Sequence, residues 1–252
     1  MLRPVRCVVV LPTYQEAANI TPVLRRIRAT GRAEVVVVDD ASPDGTADLA
    51  EAVAAELGGI SVLRRPGKAG FGPACRAGML WALEEGYEVI VGMDADCSHD
   101  PAQLPDLLEA VEAGADLVVG SRYVPGGSIP DWPVHRRALS RWGNRYATAA
   151  LRLPLSDATS GYRAYRAETL RLIDLGHVRA DGYGFLIEMA YRMDRQGGRL
   201  AEVPIVFTDR TRDDSKMSLT IVAEAMALVT LWGLRDRLPG HRRPRPRPGP
   251  DS

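Results

Sequence analysis

The chain has 252 residues, 46% hydrophobic and 25% charged, an ordinary composition for a globular protein with a sizeable core. Lys plus Arg and Asp plus Glu both number 32, so no overall field favours nucleic acid as a partner. Three widely spaced cysteines form neither a disulfide framework nor a zinc motif, which predicts reduced, mostly buried thiols in a cytosolic protein.

Strand-like and helix-like segments alternate through the first half of the chain. The predicted strands are Cys7–Leu11, Val35–Asp39, Ile60–Leu63, Val89–Met93 and Leu117–Gly120. The helices predicted between them, from apolar residues at helical spacing, are Glu16–Ala29, Thr46–Leu57, Gly72–Glu85 and Pro101–Ala113. Asp44 or Ser42 can cap the second helix, and Pro101 suits the first turn of the fourth. This alternation predicts an α/β fold, a mostly parallel sheet with helices on both faces.

The second half of the chain is less regular. Glycines and prolines interrupt residues 121–144, and a loop of this length is usually a binding loop or a lid. The further expected elements are helices at Arg137–Leu151, Ala167–Leu175, Phe185–Gln196 and Ser218–Leu238 and a strand at Ala201–Phe207. Residues 239–252 alternate Pro with Arg and are predicted to be disordered or extended. The expected organisation is one domain over 1–217, a helix over 218–238, and this tail.

Polar or glycine residues follow five consecutive strands. In strand order they include Pro12, Tyr14 and Glu16, then Asp39, Asp40 and Asp44, then Lys68, Gly70 and Gly72, then Asp94 and Asp96, then Ser121 and Arg122. Each group alone fits an ordinary turn, but ligands of open α/β sheets bind at the carboxyl ends of strands, so the joint occurrence predicts a binding edge. Aspartates there can accept from base and ribose groups, the glycines admit backbone amides, and Lys68 offers charge near phosphate or sugar.

Asp94 and Asp96 stand one residue apart where a buried strand ends. Mg²⁺ prefers oxygen ligands and usually takes only one or two carboxylates plus substrate phosphates. The spacing therefore predicts Mg²⁺ or Mn²⁺ held between the protein and a diphosphate. The glycine fingerprint of dinucleotide oxidoreductases is missing after the first strand, where Pro12 and Tyr14 stand instead.

Arginines crowd the loop region after the fifth strand. Residues 121–145 hold one acid, Asp131, and five arginines: Arg122, Arg136, Arg137, Arg141 and Arg145. Guanidinium groups suit phosphate because they bind it through paired hydrogen bonds, although a solvated basic face is the alternative. Trp132 and the neighbouring prolines fit contact with an apolar chain or a membrane, and equally fit packing in the core or a lid.

Motifs in order along the second half carry a family resemblance. They are Ser121-Arg122-Tyr123 with Gly126-Gly127, Trp132-Pro133 with Arg136, Arg137, Ser140 and Asn144, then Asp157-Ala158-Thr159-Ser160-Gly161-Tyr162-Arg163-Ala164, Asp209-Arg210 and Ser215-Lys216-Met217-Ser218. With the sheet edge, they resemble family 2 glycosyltransferases of the GT-A fold, and among these the polyprenyl-phosphate (dolichol-phosphate) mannosyltransferases. The resemblance covers residues 5–220. It implies metal-dependent, inverting transfer of mannose from GDP-mannose to a polyprenyl phosphate.

The resemblance and the chemistry together predict a role for each residue. Asp96 is expected to be the main metal ligand, with Asp94 as second ligand or ribose contact and Ser98 as a weaker ligand. The acceptor phosphate is assigned to Arg122 and Arg136. The remaining donor-site residues are Pro12, Tyr14, Glu16, Asp39, Asp40, Asp44, Lys68, Ser140, Arg210 and Lys216, of which Arg210 and Lys216 would close on the donor phosphates.

Two departures from the family pattern bear on these roles. Gln15 stands where the family usually has Asn, a mild change. Asp213 replaces a usual Gly two residues before the Ser215-Lys216 pair, which puts the conformation of the 210–216 loop in question.

Other functions remain open. They are the same transfer from UDP-glucose, a non-catalytic nucleotide-sugar-binding module, and a peripheral membrane interaction protein. No signal peptide and no apolar run of about twenty residues is visible. The apolar helix 218–238 and its arginine-rich tail predict reversible attachment to the cytoplasmic face of a membrane, but packing of that helix on the core is nearly as well supported. A membrane-protein partner is left open, and no nucleic acid is expected.

Overall fold

The structure is a computed structural model that describes residues 5–209 and 219–238, with residues 219–222 described by their backbone alone. The strands are β1 Cys7–Thr13, β2 Glu34–Asp39, β3 Ile60–Arg64, β4 Val89–Gly92, β5 Leu117–Ser121, β6 Arg163–Arg166 and β7 Leu200–Pro204. The α-helices are α1 Ala17–Ala29, α2 Thr46–Leu57, α3 Phe71–Glu84, α4 Leu104–Glu112, α5 Val134–Leu151, α6 Ala167–Leu170, α7 Gly182–Arg195 and α8 Leu219–Arg235.

The seven strands form one sheet in the order β3-β2-β1-β4-β6-β5-β7. All pairs are parallel except those of β6, which runs antiparallel to both β4 and β5. The carboxyl ends of β1 to β5 therefore meet at one edge, as the sequence predicts. β6 itself is not predicted from the sequence.

Two apolar cores sandwich this sheet, which explains the nearly continuous apolar runs of its strands. Val8 and Val10 face one core, which α3, α5, α7 and α8 cover. Val9 and Leu11 face the other, which α1, α2 and α4 cover. The predicted mostly parallel sheet with helices on both faces is confirmed.

Several predicted boundaries shift for local reasons. α5 begins at Val134, directly after Pro133, three residues before its predicted start. The helix predicted over 167–175 ends at Leu170, and a separate 3-10 turn follows at Leu175–His177. β7 ends at Pro204, which has no amide hydrogen to extend the ladder, so the strand predicted to reach residue 207 is shorter.

Two predicted helix starts can be compared with the caps observed. The N-cap of α2 is Gly45, with φ of 82°, so neither Asp44 nor Ser42 occupies that position. Asp44 is the residue before this N-cap, and its carboxylate still accepts a hydrogen bond from the Thr46 amide, the first of the helix, at 3.1 Å. Pro101 does begin a 3-10 turn, Pro101–Gln103, which runs into α4, as predicted.

α8 packs onto the body of the protein. Ala225 and Val229 are buried, and the Trp232 ring stacks on Tyr191 of α7 with centroids 5.7 Å apart. The Tyr191 hydroxyl donates to Asp236 at 2.7 Å and so pins the end of this helix. Among the described residues, no helix combines the length and the apolar character needed to cross a bilayer. The tail predicted over 239–252 lies outside the described residues.

Candidate functional site

The ends of β1 and β2 are joined through Asp39. Its buried carboxylate accepts from the Thr13 hydroxyl at 3.0 Å and from the Ser42 hydroxyl and amide at 2.6 and 2.9 Å. These bonds fix the loop after β2 against the end of β1. Asp39 thus holds the shape of the edge, and its predicted contact with a nucleotide stays a prediction.

Asp40 and Asp44 organise neighbouring loops in the same way. Asp40 pairs with Arg65 and accepts the Ala69 and Gly70 amides at 2.9 and 3.2 Å, which ties the loop before α3 to β2. Asp44 accepts the Ala17 amide at 3.1 Å and the Thr46 hydroxyl at 2.6 Å. Partial burial opposes ionisation of Asp44, but these hydrogen bonds outweigh it and lower its pKa.

The outer wall of this edge carries an aromatic ring and a cation. The Lys68 ammonium lies 3.9 Å from the Tyr14 ring centroid, so the two predicted donor-site residues are in contact. Pro12 pairs with Val38 in the sheet beneath them. Glu16 donates its amide to the Thr46 hydroxyl at 2.9 Å, and its carboxylate accepts from Asn19 at the same distance.

Three non-glycine residues in this region have left-handed backbone conformations. Gln15, Ala41 and Cys97 have φ of 60°, 55° and 63°, and each lies in the loop that follows β1, β2 or β4. Side chains other than Gly, Asn and Asp rarely adopt this conformation, and it concentrates at functional sites. The family's usual Asn in place of Gln15 suits that backbone, which gives the departure a physical meaning.

Asp94 and Asp96 lie at the end of β4, where they were predicted. Asp96 is buried and accepts from the Ser98 amide at 3.0 Å and hydroxyl at 2.6 Å, whereas the Asp94 side chain is about one quarter exposed. Ser98, predicted as a weaker metal ligand, therefore orients the Asp96 carboxylate through its amide and its hydroxyl. The described residues contain no group of three or more acidic, His or Cys side chains placed around one point. Two carboxylates without a third side-chain ligand fit a divalent ion whose remaining ligands are phosphate oxygens.

An aromatic cluster missed by the sequence analysis supports these carboxylates. The Asp94 amide donates to Nδ1 of buried His99 at 3.3 Å. The His99 ring stacks on Tyr162 and meets Phe207 edge-on, with centroids 5.2 and 5.4 Å away. His99 is visible in the sequence three residues after the Asp-x-Asp, but nothing local indicates that its partners arrive from positions 162 and 207.

Asp181 is a second residue that the sequence analysis missed. Its carboxylate accepts the Gly72 amide at 2.5 Å and the Gly182 amide at 2.7 Å, so it lies at the start of both α3 and α7. A Cβ at Gly72 would come within 2.7 Å of the Ala180 carbonyl oxygen. Gly72 therefore permits close approach of the 180–181 backbone. The sequence analysis had instead expected this glycine to bring backbone amides close to a ligand.

Arg122, at the end of β5, forms a buried ion pair with Asp157. Its Nε and Nη2 lie 2.6 and 2.7 Å from the two carboxylate oxygens of this fully buried aspartate. Burial opposes ionisation of Asp157, but the Arg122 charge and its hydrogen bonds outweigh it and hold the pKa of the carboxyl below its ordinary value. Arg122 thus brings little net charge for a phosphate.

A polar network continues from this pair into α5. Arg122 Nη2 donates to the Thr159 hydroxyl at 2.8 Å, and the Asn144 side-chain amide donates to the same oxygen at 3.1 Å. Asn144 also accepts the Ala158 amide at 2.8 Å. Ser140, one turn earlier on α5, accepts from the Tyr123 hydroxyl at 2.7 Å. Ser140 therefore contacts the arginine region, and its predicted place in the donor site stays a prediction.

Residues 157–161 link the two regions. Asp157 and Thr159 hold Arg122, while a Cβ on Gly161 would lie 3.1 Å from Asp94 Oδ1. Only β6 separates β4 from β5, so their ends are about 10 Å apart at the usual strand spacing. One short loop thus sets the distance between the paired carboxylates and the guanidinium groups.

Arg136 contacts the ring of Trp132, beside which Arg122 also lies. Its guanidinium stacks 3.9 Å from the Trp132 ring centroid and pairs with Asp209 at 3.0 Å. The single acid counted within residues 121–145 is therefore misleading, because Asp157 and Asp209 bring compensating charge from elsewhere in the chain. Trp132 is only 6% exposed, which favours packing in the interior over contact with a membrane, the two alternatives that the sequence left open.

An apolar groove opens beside Arg122. It is defined here by its walls from α5, α7 and α8, which are Leu139, Trp142, Ile187, Ala225, Met226 and Val229. Arg122, Trp132, Ser140, Asn144 and Thr159 also line it. The lining of the groove is therefore apolar on the helix side and polar where it meets the network around Arg122. Arg210 and Lys216, predicted to close on donor phosphates, and Asp213 lie outside the described residues.

Similarity to known proteins agrees with this architecture. The sequence model of glycosyl transferase family 2 matches residues 8–173. The chain is 51% identical over 238 residues to an undecaprenyl-phosphate mannosyltransferase from Micrococcus luteus, covering 94% of this chain and 98% of that protein. It is 47% identical over 235 residues to a polyprenol monophosphomannose synthase from Mycolicibacterium smegmatis, covering 92% and 89%.

The fold is also similar to solved structures. A glucosyl-3-phosphoglycerate synthase from Mycobacterium tuberculosis, crystallised with Mn²⁺, UDP and glucosyl-3-phosphoglycerate, superposes with a TM-score of 0.63 at 22% identity, covering 92% of this chain and 79% of that one. At this identity the likeness establishes the fold alone, which is GT-A.

Proposed function

Because this chain belongs to glycosyltransferase family 2, we propose that it transfers mannose, with inversion, from GDP-mannose to a polyprenyl monophosphate. The observation that carries the proposal is the 157–161 loop, which binds the Arg122 guanidinium at one end and at the other brings Gly161 so near Asp94 that a Cβ there would lie 3.1 Å from the carboxylate. A donor that needs carboxylates and an acceptor that needs guanidinium groups would then meet at one edge of the sheet.

The donor half of the reaction is assigned to the edge formed by β1, β2 and β4. Asp94 and Asp96 would hold Mg²⁺ or Mn²⁺, with Ser98 orienting Asp96. Such an ion, when bound, neutralises charge that develops on the departing diphosphate. Tyr14 and Lys68 form an aromatic and cationic wall beside this position, where a nucleotide can stack and a phosphate can pair.

The acceptor half is assigned to Arg136, Arg122 and the apolar groove. A phosphate monoester is mostly dianionic at pH 7 and is already a nucleophile, so these residues need to align it rather than to remove a proton. Arg136 is about one quarter exposed and is the more accessible cation, while the Asp157-bound Arg122 gives direction through N–H groups fixed by the network. The groove would take the first isoprene units.

We also propose that the face formed by α5 and α8 docks on an anionic membrane. The six most exposed large apolar side chains of the described chain, 53–72% accessible, lie there: Val134, Leu139, Trp142, Leu231, Leu234 and Leu238. α5 has Arg137, Arg141 and Arg145 but no acidic residue, so its charge complements an anionic leaflet. This face also borders the groove and would give the protein a peripheral, cytoplasmic-face location, while the predicted contribution of the tail stays a prediction.

A panel of donors and acceptors tests the proposed reaction. GDP-mannose and UDP-glucose would each be offered with farnesyl phosphate, farnesol or no acceptor, in Mg²⁺, Mn²⁺ or chelator. We expect a mannosyl product only with GDP-mannose, farnesyl phosphate and a metal. Preferential use of UDP-glucose would favour the glucosyl alternative, and tight nucleotide-sugar binding without any product would favour a non-catalytic module.

A further inference from the structure

Trp132 has a buried hydrogen-bond donor with no acceptor among the described residues. Its side chain is 94% buried, and Nε1 is sealed from solvent. Native structures seldom leave a buried N–H unpaired, and a single instance calls for an explanation.

The surroundings of the ring indicate what kind of group is missing. The Arg136 guanidinium carbon lies 3.9 Å from the ring centroid, and that of Arg122 lies 5.7 Å away. Phe207 closes a further side edge-on at 5.7 Å. Guanidinium groups and indole can only donate hydrogen bonds. Asp157 and Asp209 accept from the two guanidinium groups, whereas no described residue accepts from the indole N–H. An oxyanion would complete such a set.

We propose that Nε1 of Trp132 donates a hydrogen bond to an oxygen of the acceptor phosphate. This rests on the proposed function, since it specifies how the same acceptor is held. The ring lines the apolar groove together with Arg122, so a phosphate at the groove's polar end has this N–H within its reach once the groove wall moves aside. Trp132 then serves as a binding residue in addition to its role as a platform for Arg136.

The competing account makes Trp132 a packing residue only. Trp132→Phe separates the two, since it keeps an aromatic face for Arg136 but removes the N–H. A hydrogen bond to a charged group corresponds to roughly a tenfold or larger change in affinity. We expect Trp132→Phe to raise the acceptor KM about tenfold while the KM for GDP-mannose stays unchanged. 3-Benzothienylalanine at position 132, which keeps the ring size, should behave like Phe, whereas a packing role predicts normal kinetics for it.

Indole N–H NMR tests the contact directly. The chain has four tryptophans, so the ¹⁵N-indole spectrum is simple, and Trp132→Phe assigns the relevant signal. Trp81→Phe, in α3 against Tyr87, is the matched control. Farnesyl phosphate should shift the Trp132 N–H proton downfield, whereas farnesol and GDP should not.

Two results would overturn the inference. If farnesyl phosphate is mannosylated but leaves the Trp132 signal in place, the contact is absent while the proposed function stands. If the Trp132 proton already lies at a hydrogen-bonded position in the free protein, its acceptor comes from the chain itself. Failure of farnesyl phosphate to accept mannose at all would defeat the proposed function, and the inference with it.

Discussion

The two halves of the sheet edge differ in the sign of their charged groups and in how those groups are held. At the ends of β1, β2 and β4, carboxylates are held mainly by backbone amides and small hydroxyls, as Asp39 and Asp96 illustrate. At the end of β5, guanidinium groups are held by carboxylates and aromatic faces, as Arg122 and Arg136 illustrate. The first half keeps its negative charge for a cation, whereas the second has most of its positive charge neutralised and offers oriented N–H groups.

This difference bears on how each half binds a phosphate. The carboxylate half would repel a diphosphate without an intervening ion, so its function should depend on metal. The guanidinium half can accept a phosphate directly, and its function should depend on geometry more than on net charge. Variants of each half should therefore fail in different assays.

Loss of the Asp96 charge should have the largest effect. Asp96→Asn keeps an oxygen for Ser98 but weakens the metal site, and a metal's electrostatic contribution of several kcal/mol corresponds to at least about a 10³-fold loss of turnover. Mn²⁺ binding in the presence of GDP should fall in parallel, while the thermal melt stays near wild type. Asp106→Asn, an exposed carboxylate on α4, is the control. Full activity of Asp96→Asn, or of the wild type in excess chelator, would refute the metal assignment.

Breaking the buried pair should mainly affect stability. Arg122→Ala leaves Asp157 buried without its partner, which we expect to cost about 3–5 kcal/mol of unfolding free energy in urea titration. The double variant Arg122→Met with Asp157→Leu should recover much of that stability but not the acceptor affinity. Recovery of both would mean that the pair contributes structure alone.

The same pair sets a direction for the pH dependence of stability. The pKa of Asp157 is lowered in the folded protein, so its contribution is complete above the ordinary aspartate pKa of about 3.9 and is lost as the pH falls through the lower folded value. Stability from this group should therefore be constant between pH 7 and about pH 5. Asp157→Asn should remove that acid-dependent component.

Removal of the accessible guanidinium should give a smaller, selective effect. Arg136→Ala removes the ion pair with Asp209 and deprives the acceptor of a charge-assisted bond, worth roughly 2 kcal/mol, so the acceptor KM should rise about 30-fold. GDP affinity, measured by calorimetry, should change little. Arg171→Ala, an exposed arginine that contacts the Leu83 carbonyl, is the matched control. A collapse of GDP affinity would transfer Arg136 to the donor half.

Membrane docking should depend on the arginines of α5. Basic residues beside an anionic leaflet contribute about 1 kcal/mol each, so Arg141→Glu with Arg145→Glu should weaken liposome binding by at least about 30-fold. Arg25→Glu on α1 with Arg32→Glu in the loop that follows it, across the sheet from α5, is the control. Flotation that is absent at low salt, or that is lost only when residues 239–252 are removed, would contradict the assignment to this face.

Much of the first half was predictable because its signals are local. Strand-then-polar spacing places Asp94 and Asp96 correctly, since parallel strands must end at one edge. The second half was less predictable, because the residues that bind its arginines are distant from them in sequence. Arg122 pairs with Asp157 across 35 residues and Arg136 with Asp209 across 73, so a count of charges in one window cannot find them. β6 escaped prediction because its four residues pair antiparallel within an otherwise parallel sheet.

The smallest expected effect concerns the left-handed loops of the carboxylate half. Ala41→Gly relieves a conformation that costs non-glycine residues roughly 1–2 kcal/mol, offset by glycine's greater entropy, so stability should rise by up to about 1 kcal/mol. Ala55→Gly in α2 should instead lower stability by about 1 kcal/mol. Equal destabilisation by both changes in chemical denaturation would show that Ala41 is not strained.

The central claim is that one edge of the sheet couples a nucleotide-sugar donor to a lipid phosphate. GDP release from GDP-mannose, followed with and without polyprenyl phosphate in the presence of Mg²⁺, tests it most directly. We predict release only when the phosphate acceptor is present, in a one-to-one ratio with mannosylated lipid. Release at the same rate without acceptor, or with the corresponding polyprenol, would contradict the account.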